Sequence, residues 1–370
     1  MSPSKIVALI PAWNEAEQIG ATLESLLQQT RTIDQIVVIP NGCKDNTADI
    51  ARSYITESNN LIVIELPKLK HRKSEALNIA WREYAMDADI VISIDADTTF
   101  DPDAIKQWER EFSRFRDPKR RTNRMLGGST AKAIVLRDGY WGRMQKQEYA
   151  KVVDSSLIRG TTSVLAGAGT AFSGPALRQV AAVDDGREGP WSYDSMTEDY
   201  EITVMLRKLN WVTVTSPYVR MYTDGMPTLK ALWGQRMKWG VGQYHELMRH
   251  GITRYTLRDW GAVMMTALLV TVQLVWMALL AVYVTTASLH FDWFWWTLYP
   301  VTCMLIQLQL SGRIAYVDRK DRWYAITVIP YAVYGTIGVA WIIWAWVHVI
   351  YERCTKRYAD RWELQSIAES

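Results

Sequence analysis

Cysteine is nearly absent from this chain, with 3 in 370 residues, at Cys43, Cys303 and Cys354. They lie far apart and show no metal-ligand spacing, which fits a reducing compartment for the polar part of the protein. An excess of charge is lacking too. The 42 Lys and Arg stand against 39 Asp and Glu, a net of +3. That balance makes no case for nucleic acid, and none is expected as a partner. A secretory leader is not expected either. Lys5 is followed at once by Ile6–Ile10, a run too short for a signal peptide. Internal repeats and low-complexity tracts are missing. The most telling absence is local. Beyond Arg258, three stretches carry no Asp, Glu, Lys or Arg: Trp260–Phe291, Trp293–Gly312 and Trp323–Tyr351. A helix needs roughly 20 apolar residues to cross a bilayer, and each stretch is long enough. Half of the 18 tryptophans fall between Trp260 and Trp346, and aromatics of this kind favour the headgroup level. Buried helices of a large soluble core are the other reading, but runs of this length are rare in such cores.

Two textures alternate in the first hundred residues. Ile6–Ile10, Gln35–Ile39, Leu61–Leu66 and Ile90–Ile94 are short apolar runs that read as buried parallel strands. Helix-like segments separate them. Asn14 is expected to cap one running to about Gln29, Asn46 one ending near Ile55, and Ser74 one reaching about Met86. This order predicts an α/β fold with a doubly wound sheet, whose ligands bind beyond the carboxyl ends of the strands. Pro11–Glu15, Pro40–Asp45, Lys68–Lys73 and Asp95–Asp97 all fall there. Residues 125–222 give weaker signals. Gly127, Gly128, Gly167 and Gly169 allow close backbone approach. Glu198–Leu209 reads as a helix with Thr197 at its cap, and Leu229–His250 as an amphipathic stretch able to rest on a membrane interface.

Several patches carry chemistry. Asp95-Ala96-Asp97 ends a predicted strand, where two carboxylates suit Mg²⁺ or Mn²⁺ bridging a diphosphate. Asp199, in Thr197-Glu198-Asp199, can act as a general base on an acceptor hydroxyl. The same acids would also meet a helix dipole favourably, and the two readings are compatible. Lys73 and its neighbours Lys70, His71 and Arg72 could face phosphate, as could Arg236 and Lys238, although basic runs are usually solvated surface.

Taken in order, Pro11-Ala12-Trp13-Asn14-Glu15, Asn41 to Thr47, Lys73 to Asn78, Asp95-Ala96-Asp97, Thr197-Glu198-Asp199 and Gln235-Arg236-Met237-Lys238-Trp239 resemble the motifs of family-2 glycosyltransferases. The pattern is most similar to the membrane-integrated branch of cellulose, chitin, hyaluronan and poly-N-acetylglucosamine synthases, over residues 5–245. That resemblance implies a nucleotide-sugar transferase fold of the first (GT-A) type, inverting chemistry and a divalent metal, Mg²⁺ or Mn²⁺. By motif, Asp97 and Asp95 would serve the metal and Asp199 would be the base. Pro11, Asn14, Glu15, Asn41, Asp45, Lys73, Asp95, Arg236 and Lys238 would lie on the donor and its diphosphate. Glu198, Gln235 and Trp239 would line the acceptor side. The sequence departs from the pattern at Pro40-Asn41, where an acidic pair is usual, and at Lys238, where Arg is usual.

The expected organisation is a cytoplasmic transferase domain over residues 1–225, amphipathic interface helices over 226–258, about three membrane segments over 259–351 and a polar tail over 352–370. The expected partners are a UDP-linked sugar (N-acetylglucosamine or glucose), a carbohydrate, lipid-linked or protein acceptor, the lipid bilayer of the cell membrane, and further copies of the chain. A single-sugar transferase acting on a polyprenyl phosphate or a protein is the second reading. A non-catalytic nucleotide-sugar-binding membrane adaptor is the third, and the joint presence of Asp95, Asp97 and Asp199 argues against it. Arg254 and Arg258 precede the first charge-free run, and Arg313, Arg319, Lys320 and Arg322 follow the second. The link Ser288–Asp292 has no Lys or Arg. By the positive-inside bias the basic flanks and the catalytic part are cytoplasmic. For the third run, one tilted span kinked near Pro330 is expected rather than a hairpin. A single crossing there would place Arg353, Lys356, Arg357 and Arg361 outside, against the same bias.

Overall fold

Strand formation follows from runs of apolar residues that can be covered on both faces. In the computed structural model, which describes residues 4–57, 59–115, 124–286, 293–327 and 329–369, the strands are β1 (Ile6–Ala12), β2 (Gln35–Pro40), β3 (Leu61–Val63), β4 (Ile90–Ile94), β5 (Thr99–Phe100), β6 (Leu126–Val135), β7 (Gly169–Ser173) and β8 (Val212–Thr223). Among the described residues they form one sheet in the order β3-β2-β1-β4-β7-β6-β8-β5. The first four are parallel neighbours. β7 runs antiparallel between β4 and β6, and β6 pairs with β8 in parallel with two register shifts.

Helices α1 (Ile19–Leu27), α2 (Thr47–Ser53), α3 (Arg72–Ala80), α4 (Ala104–Phe115), α6 (Gly174–Ala181) and α7 (Glu198–Lys208) cover the sheet; α5 (Gly139–Arg159) lies between β6 and β7 in sequence. Alternation along β1 explains the two layers. Ile6, Ala8 and Ile10 join Ile19 and Leu23 of α1 and Trp108 and Phe112 of α4 in one core. Val7 and Leu9 join Ala76, Leu77 and Ala80 of α3 and Ile202 and Met205 of α7 in the other. A strand buried on both sides has no polar face to show, hence its unbroken apolar sequence.

Several expected helix starts move. Asn14 does not cap: its backbone is left-handed (φ 56°), its side chain accepts from the Lys44 N–H at 2.8 Å, and α1 begins at Ile19. Ser74 lies inside α3, which starts at Arg72 and continues through a π-helical turn, Trp81–Ala85. Asn46 and Thr197 occupy cap positions without side-chain cap bonds. Asp45 does the capping for α2, accepting from the Thr47 N–H at 3.1 Å. β3 is shorter than expected, yet the Ile64 and Leu66 N–H groups still donate to Val38 and Pro40 carbonyls at 2.9 and 2.8 Å.

The chain divides into two units. The first comprises Met1–Arg137 and Val152–Gly225 and holds the sheet; the second comprises Asp138–Lys151 and Met226–Ser370. The second is helical: the first half of α5, then α8 (Leu229–His250), α9 (Leu257–Thr286), α10 (Trp293–Ser311), α11 (Arg319–Thr327), α12 (Ile329–Thr355) and α13 (Arg361–Glu369). Among the described residues, two helices, α9 and α12, are long and apolar enough to cross a membrane by length and composition. Residues 329–355 form one continuous helix. Pro330 sits in its first turn, where a missing N–H costs nothing and no kink is needed. The link Ser288–Asp292 lies outside the described residues.

Candidate active site

In the first unit, four segments meet at the carboxyl ends of the parallel strands. β4 ends at Ile94 and the chain turns sharply through Asp95-Ala96-Asp97-Thr98, with the Thr98 N–H donating to the Asp95 carbonyl at 3.2 Å. The turn is pinned at its base by the Thr22 hydroxyl of α1, which donates to the Ala96 carbonyl at 2.8 Å. Lys73, from the first turn of α3, donates to Asp95 Oδ1 at 2.5 Å and lies 3.2 Å from Glu198 Oε1. Glu198 and Asp199 open α7. Asp199 Oδ1 accepts from the Tyr200 N–H at 2.7 Å and its Oδ2 from the Gly167 N–H at 3.4 Å. Gly167 has to be small here: a Cβ on it would stand 3.0 Å from Lys73 Nζ and 3.5 Å from Glu198 Oε1.

The electrostatics of this centre are uneven. Burial opposes the charge on Lys73, but the Asp95 and Glu198 carboxylates outweigh it and hold the ammonium well above the usual lysine range. Burial, and then the charge of Asp95, push the Asp97 carboxyl up to about 6. Burial, and then Glu198, push Asp199 up to about 6 as well, with Lys73 and the two N–H donors opposing. Four acids therefore share one lysine. Such a centre is short of positive charge, which suits a proton acceptor and a cation.

Among the described residues, no three His, Cys, Asp or Glu side chains converge as a complete metal cage. The donor set still fits a hard divalent cation. Mg²⁺ and its like are commonly held by one or two carboxylates, with substrate phosphates and water completing the shell. Asp95 and Asp97 offer such a pair.

The neighbouring crevice is built by β1, β2 and the loops after them. Pro11 lies at the end of β1 opposite Ile39. The Glu15 N–H donates to Thr47 Oγ1 at 2.8 Å, and the Glu15 carbonyl accepts from Ile19 to start α1. Asn41 is buried, and its Oδ1 accepts from the Leu69 N–H at 3.0 Å. Gly42 follows with φ 62°, and a Cβ there would lie 2.6 Å from Lys68 Cα. Asp45 accepts from the Ala16 N–H at 3.1 Å and from the Thr47 hydroxyl at 2.5 Å. Desolvation opposes its charge, but these bonds prevail and hold its carboxyl below the usual range.

Gln235, Arg236, Lys238 and Trp239 are on α8, in the second unit. Arg236 is buried and its Nη2 donates to Glu148 Oε2 at 2.8 Å. Its Nη1 donates to Gln235 Oε1 at 2.8 Å, and its guanidinium lies 4.5 Å from the centre of the half-exposed Trp239 ring. Tyr334 completes the cluster, its hydroxyl donating to the same Glu148 oxygen at 2.6 Å. Lys238 is buried as well.

Sequence reasoning missed Glu148 and Tyr334 here. In the first unit it missed the task of Asn78, at the end of the Lys73 to Asn78 motif: Asn78 bonds the Trp191 backbone in both directions at 2.7 and 3.0 Å. It also missed Arg187, which reaches the buried Glu201 at 2.8 Å. These two ties fix the loop that leads into Thr197-Glu198-Asp199. No local signal marks Glu148, Tyr334 or Arg187.

Residues 3–242 match the family described as glycosyltransferase like family 2. The chain belongs to that family. Among curated proteins it is similar to poly-beta-1,6-N-acetyl-D-glucosamine synthase of Staphylococcus aureus, 28% identical over 249 residues, 66% of this chain and 56% of that protein. The Staphylococcus epidermidis protein of the same name is 26% identical over 246 residues, 65% of this chain and 55% of its own. The chain thus spans about half the length of these curated relatives. Among solved structures it resembles the mannosyltransferase PcManGT of Pyrobaculum calidifontis, determined with GDP-Man and Mn²⁺. That likeness has a TM-score of 0.58 at 18% identity and covers 95% of this chain and 88% of that one. At such identity it speaks for the fold, a glycosyltransferase-type mixed α/β sheet.

Proposed function

We propose that this family-2 glycosyltransferase is inverting and metal-dependent, moving N-acetylglucosamine or glucose from a UDP-linked donor to an acceptor hydroxyl at a membrane surface. The observation that carries the reading is Asp199, fixed by two backbone N–H groups beside Lys73 and Glu198, with its carboxyl raised to about 6. A carboxylate of that strength accepts a proton near neutral pH and is free to do so. The acceptor oxygen attacks the anomeric carbon while its proton passes to Asp199. The bond from that carbon to the diphosphate oxygen breaks, the electron pair leaves with the nucleoside diphosphate, and the configuration inverts. A bound Mg²⁺ or Mn²⁺ offsets charge on the departing diphosphate. Asp95 and Asp97 would hold it, and Lys73 orients Asp95 by a bond of 2.5 Å. Asn41, Asp45 and the Pro11–Glu15 turn border the donor crevice. Glu198, Gln235 and Trp239 are assigned to the acceptor side, and Arg236 and Lys238 to the diphosphate.

The N-acetylglucosamine polymer named for the staphylococcal relatives supports that sugar as the first donor to test. The apolar helices support membrane attachment, and Arg254 and Arg258 ahead of α9, with no Lys or Arg in the link after it, support a cytoplasmic catalytic part. The test is a panel of nucleotide sugars with Mg²⁺ or Mn²⁺, scored for release of nucleoside diphosphate, with mass analysis of the product. UDP release from UDP-N-acetylglucosamine that is lost in Asp199→Asn is the expected result. No release from any donor by folded protein would refute the reading. A product extended by one sugar would favour single transfer over polymerisation.

A further inference from the structure

α9 and α12 pass the same test of length and hydropathy, but different things cover them. None of the most apolar stretch of α9 is buried, whereas 28% of that of α12 is. What covers α12 is the aromatic and charged chain of α5, α8 and α13. At its start, the Pro330 carbonyl accepts from the Tyr140 hydroxyl at 2.7 Å, and Tyr331 packs with Met144. One turn on, Tyr334 donates to Glu148, the partner of Arg236 on α8. In the middle, Trp341 meets Trp233 of α8 edge-on at 6.5 Å, and Tyr244 stacks on Trp346 at 4.3 Å. At its end, Glu352 lies 2.9 Å from His245 of α8 and is also bonded by Arg361 of α13 at 2.5 Å. α12 therefore lies on α5 over its first turns and alongside α8 from its middle to its end.

α8 cannot cross a bilayer, because Lys230, Arg236, Lys238, Glu246 and Arg249 are spread along it. Tyr334 and Glu352 are separated by about 27 Å of helix, nearly the thickness of a hydrocarbon core. A crossing α12 would set these two contacts on opposite sides of the membrane. Both are made to the same charged helix or to its ion-pair partner. The exposed residues of α12 confirm a sided helix. Ile329, Val333, Ile343, Trp344, Val347 and Ile350 are all exposed, at helical spacing, while Tyr331, Val339, Ala345, Val349 and Glu352 are buried.

We propose that α12 does not span the membrane but lies in its interface, with the Ile329–Val333–Ile343–Val347–Ile350 face resting on lipid acyl chains and the opposite face on α8. This rests on the membrane attachment proposed above. The partner is the bilayer surface, continuous with the bare apolar surface of α9. An apolar face backed by charged helices is what such a surface accepts. The charge pattern agrees. Arg353, Lys356, Arg357 and Arg361 now share a side with Arg254, Arg258 and the Arg313–Arg322 group, which removes the conflict with the positive-inside bias. The spans are then α9 and the charge-free run Trp293–Gly312 that holds α10.

The test uses the full chain in phosphatidylcholine–phosphatidylglycerol vesicles, with single spin labels whose depth is read by oxygen and nickel accessibility. Ile329→Cys and Ile350→Cys should lie at the same shallow depth, within a few Å, on a background with the native cysteines replaced. A spanning helix would place them in opposite leaflets, about 31 Å apart along its axis, and that result would overturn the proposal. Val272→Cys on α9 is the control for attachment itself. If it too is not at the bilayer centre, the membrane reading fails; if it is central while Ile329 and Ile350 sit in opposite leaflets, only the in-plane placement fails. The native Cys354, exposed just past the apolar part of α12, gives a second readout. With Cys43 and Cys303 replaced, it should resist an impermeant maleimide in intact cells and react after lysis. Labelling in intact cells would also overturn the proposal.

Discussion

Each unit sets a cation against carboxylates, and the two centres differ in what is left over. In the sheet unit, Lys73 serves Asp95 and Glu198, while Asp97 and Asp199 are raised to about 6 by burial and then by their carboxylate neighbours. In the helical unit, Arg236 has Glu148, Gln235 and the Trp239 ring, and Glu148 has Tyr334 besides. The first centre has unmet electrostatic demand and is fit to exchange protons and ions. The second is paired from several sides and is fit to hold a shape. A buried charge that is matched is costly to break, because its partner is then left uncompensated, whereas acids crowded around one lysine stay ready to take up a cation.

The largest effects should come from the unmet centre. Asp97→Ala, or excess chelator with the native protein, is expected to abolish transfer and weaken donor binding, read by nucleoside diphosphate release and by titration of UDP. Full turnover in chelator would place the two centres on an equal footing. Next comes Asp199→Asn, which keeps the shape and removes the base. A loss of about 10²–10⁴-fold in rate is expected with donor binding intact. If folded Asp199→Asn binds no donor, Asp199 belongs to the donor site instead.

The raised carboxyl also fixes a pH dependence. Asp199 works as a base only when ionised, so the rate should rise with pH through about 6 and fall about tenfold per unit below it. Stability runs the other way for this group. Its folded value lies above the model-peptide value of 3.8, so the folded protein keeps a proton that the unfolded chain releases. The contribution to stability is present below about pH 4 and is lost as pH rises to about 6. Asp199→Asn should remove its share of both profiles and leave that of Asp97, which is raised to about 6 as well. A rate profile in the native protein that stays level down to pH 5 would show that proton transfer lies elsewhere.

How far these centres were legible depends on the range of the forces that build them. β1, β2 and β4 are apolar over their whole length because both faces are covered, and a sequence displays that directly. Lys73, Asp95 and Asp199 could be placed because strand ends and a helix start are local features. β7 could not. Gly169-Thr170-Ala171-Phe172-Ser173 has no apolar alternation, and its place between β4 and β6 comes from pairing with distant strands. The cap at Asn14 was misread because its side chain is spent on Lys44, in a loop that only the folded crevice brings near. Residues 138–151 were the least legible. Arg143 finds Asp318 175 residues later, at 2.6 Å, and no short-range pattern foretells that tie. The charge-free runs announced long helices, but hydropathy alone does not tell a helix facing lipid all round from one lying on a charged neighbour.

Glu148→Gln gives a smaller effect and tests the matched centre. It keeps the size of the side chain and removes the charge that holds Arg236. The transition state should lose about tenfold in kcat/KM, the cost of a weakened charged hydrogen bond, with the loss in the acceptor term because Trp239 is assigned there. Combined with Trp239→Ala, the two losses should not multiply, since residues that act through one contact are not additive. Multiplying losses would mean that Glu148 merely supports the fold. A drop as large as that of Asp199→Asn would erase the contrast between the centres.

The smallest change, Tyr334→Phe, removes one hydroxyl and nothing else. Glu148 keeps Arg236, so its charge stays matched, and the ring keeps its edge contact with Trp341 at 5.5 Å. The bond removed is short, at 2.6 Å, but Glu148 is only partly buried, so water can replace the hydroxyl. The expected cost is therefore about 1 kcal/mol of stability, below the roughly 1.5–3 kcal/mol of a bond to a charged group, with donor binding unchanged and transfer reduced by no more than a few-fold. Thermal melting and transfer assays on the same preparation separate the two. A stability loss of about 1 kcal/mol with little change in rate means that the tyrosine fastens α12 and leaves Arg236 in place. A rate loss matching that of Glu148→Gln, at unchanged stability, would mean that the hydroxyl sets the position of the carboxylate. In that case the matched centre would be a three-part device reaching from α8 to α12 rather than a closed ion pair.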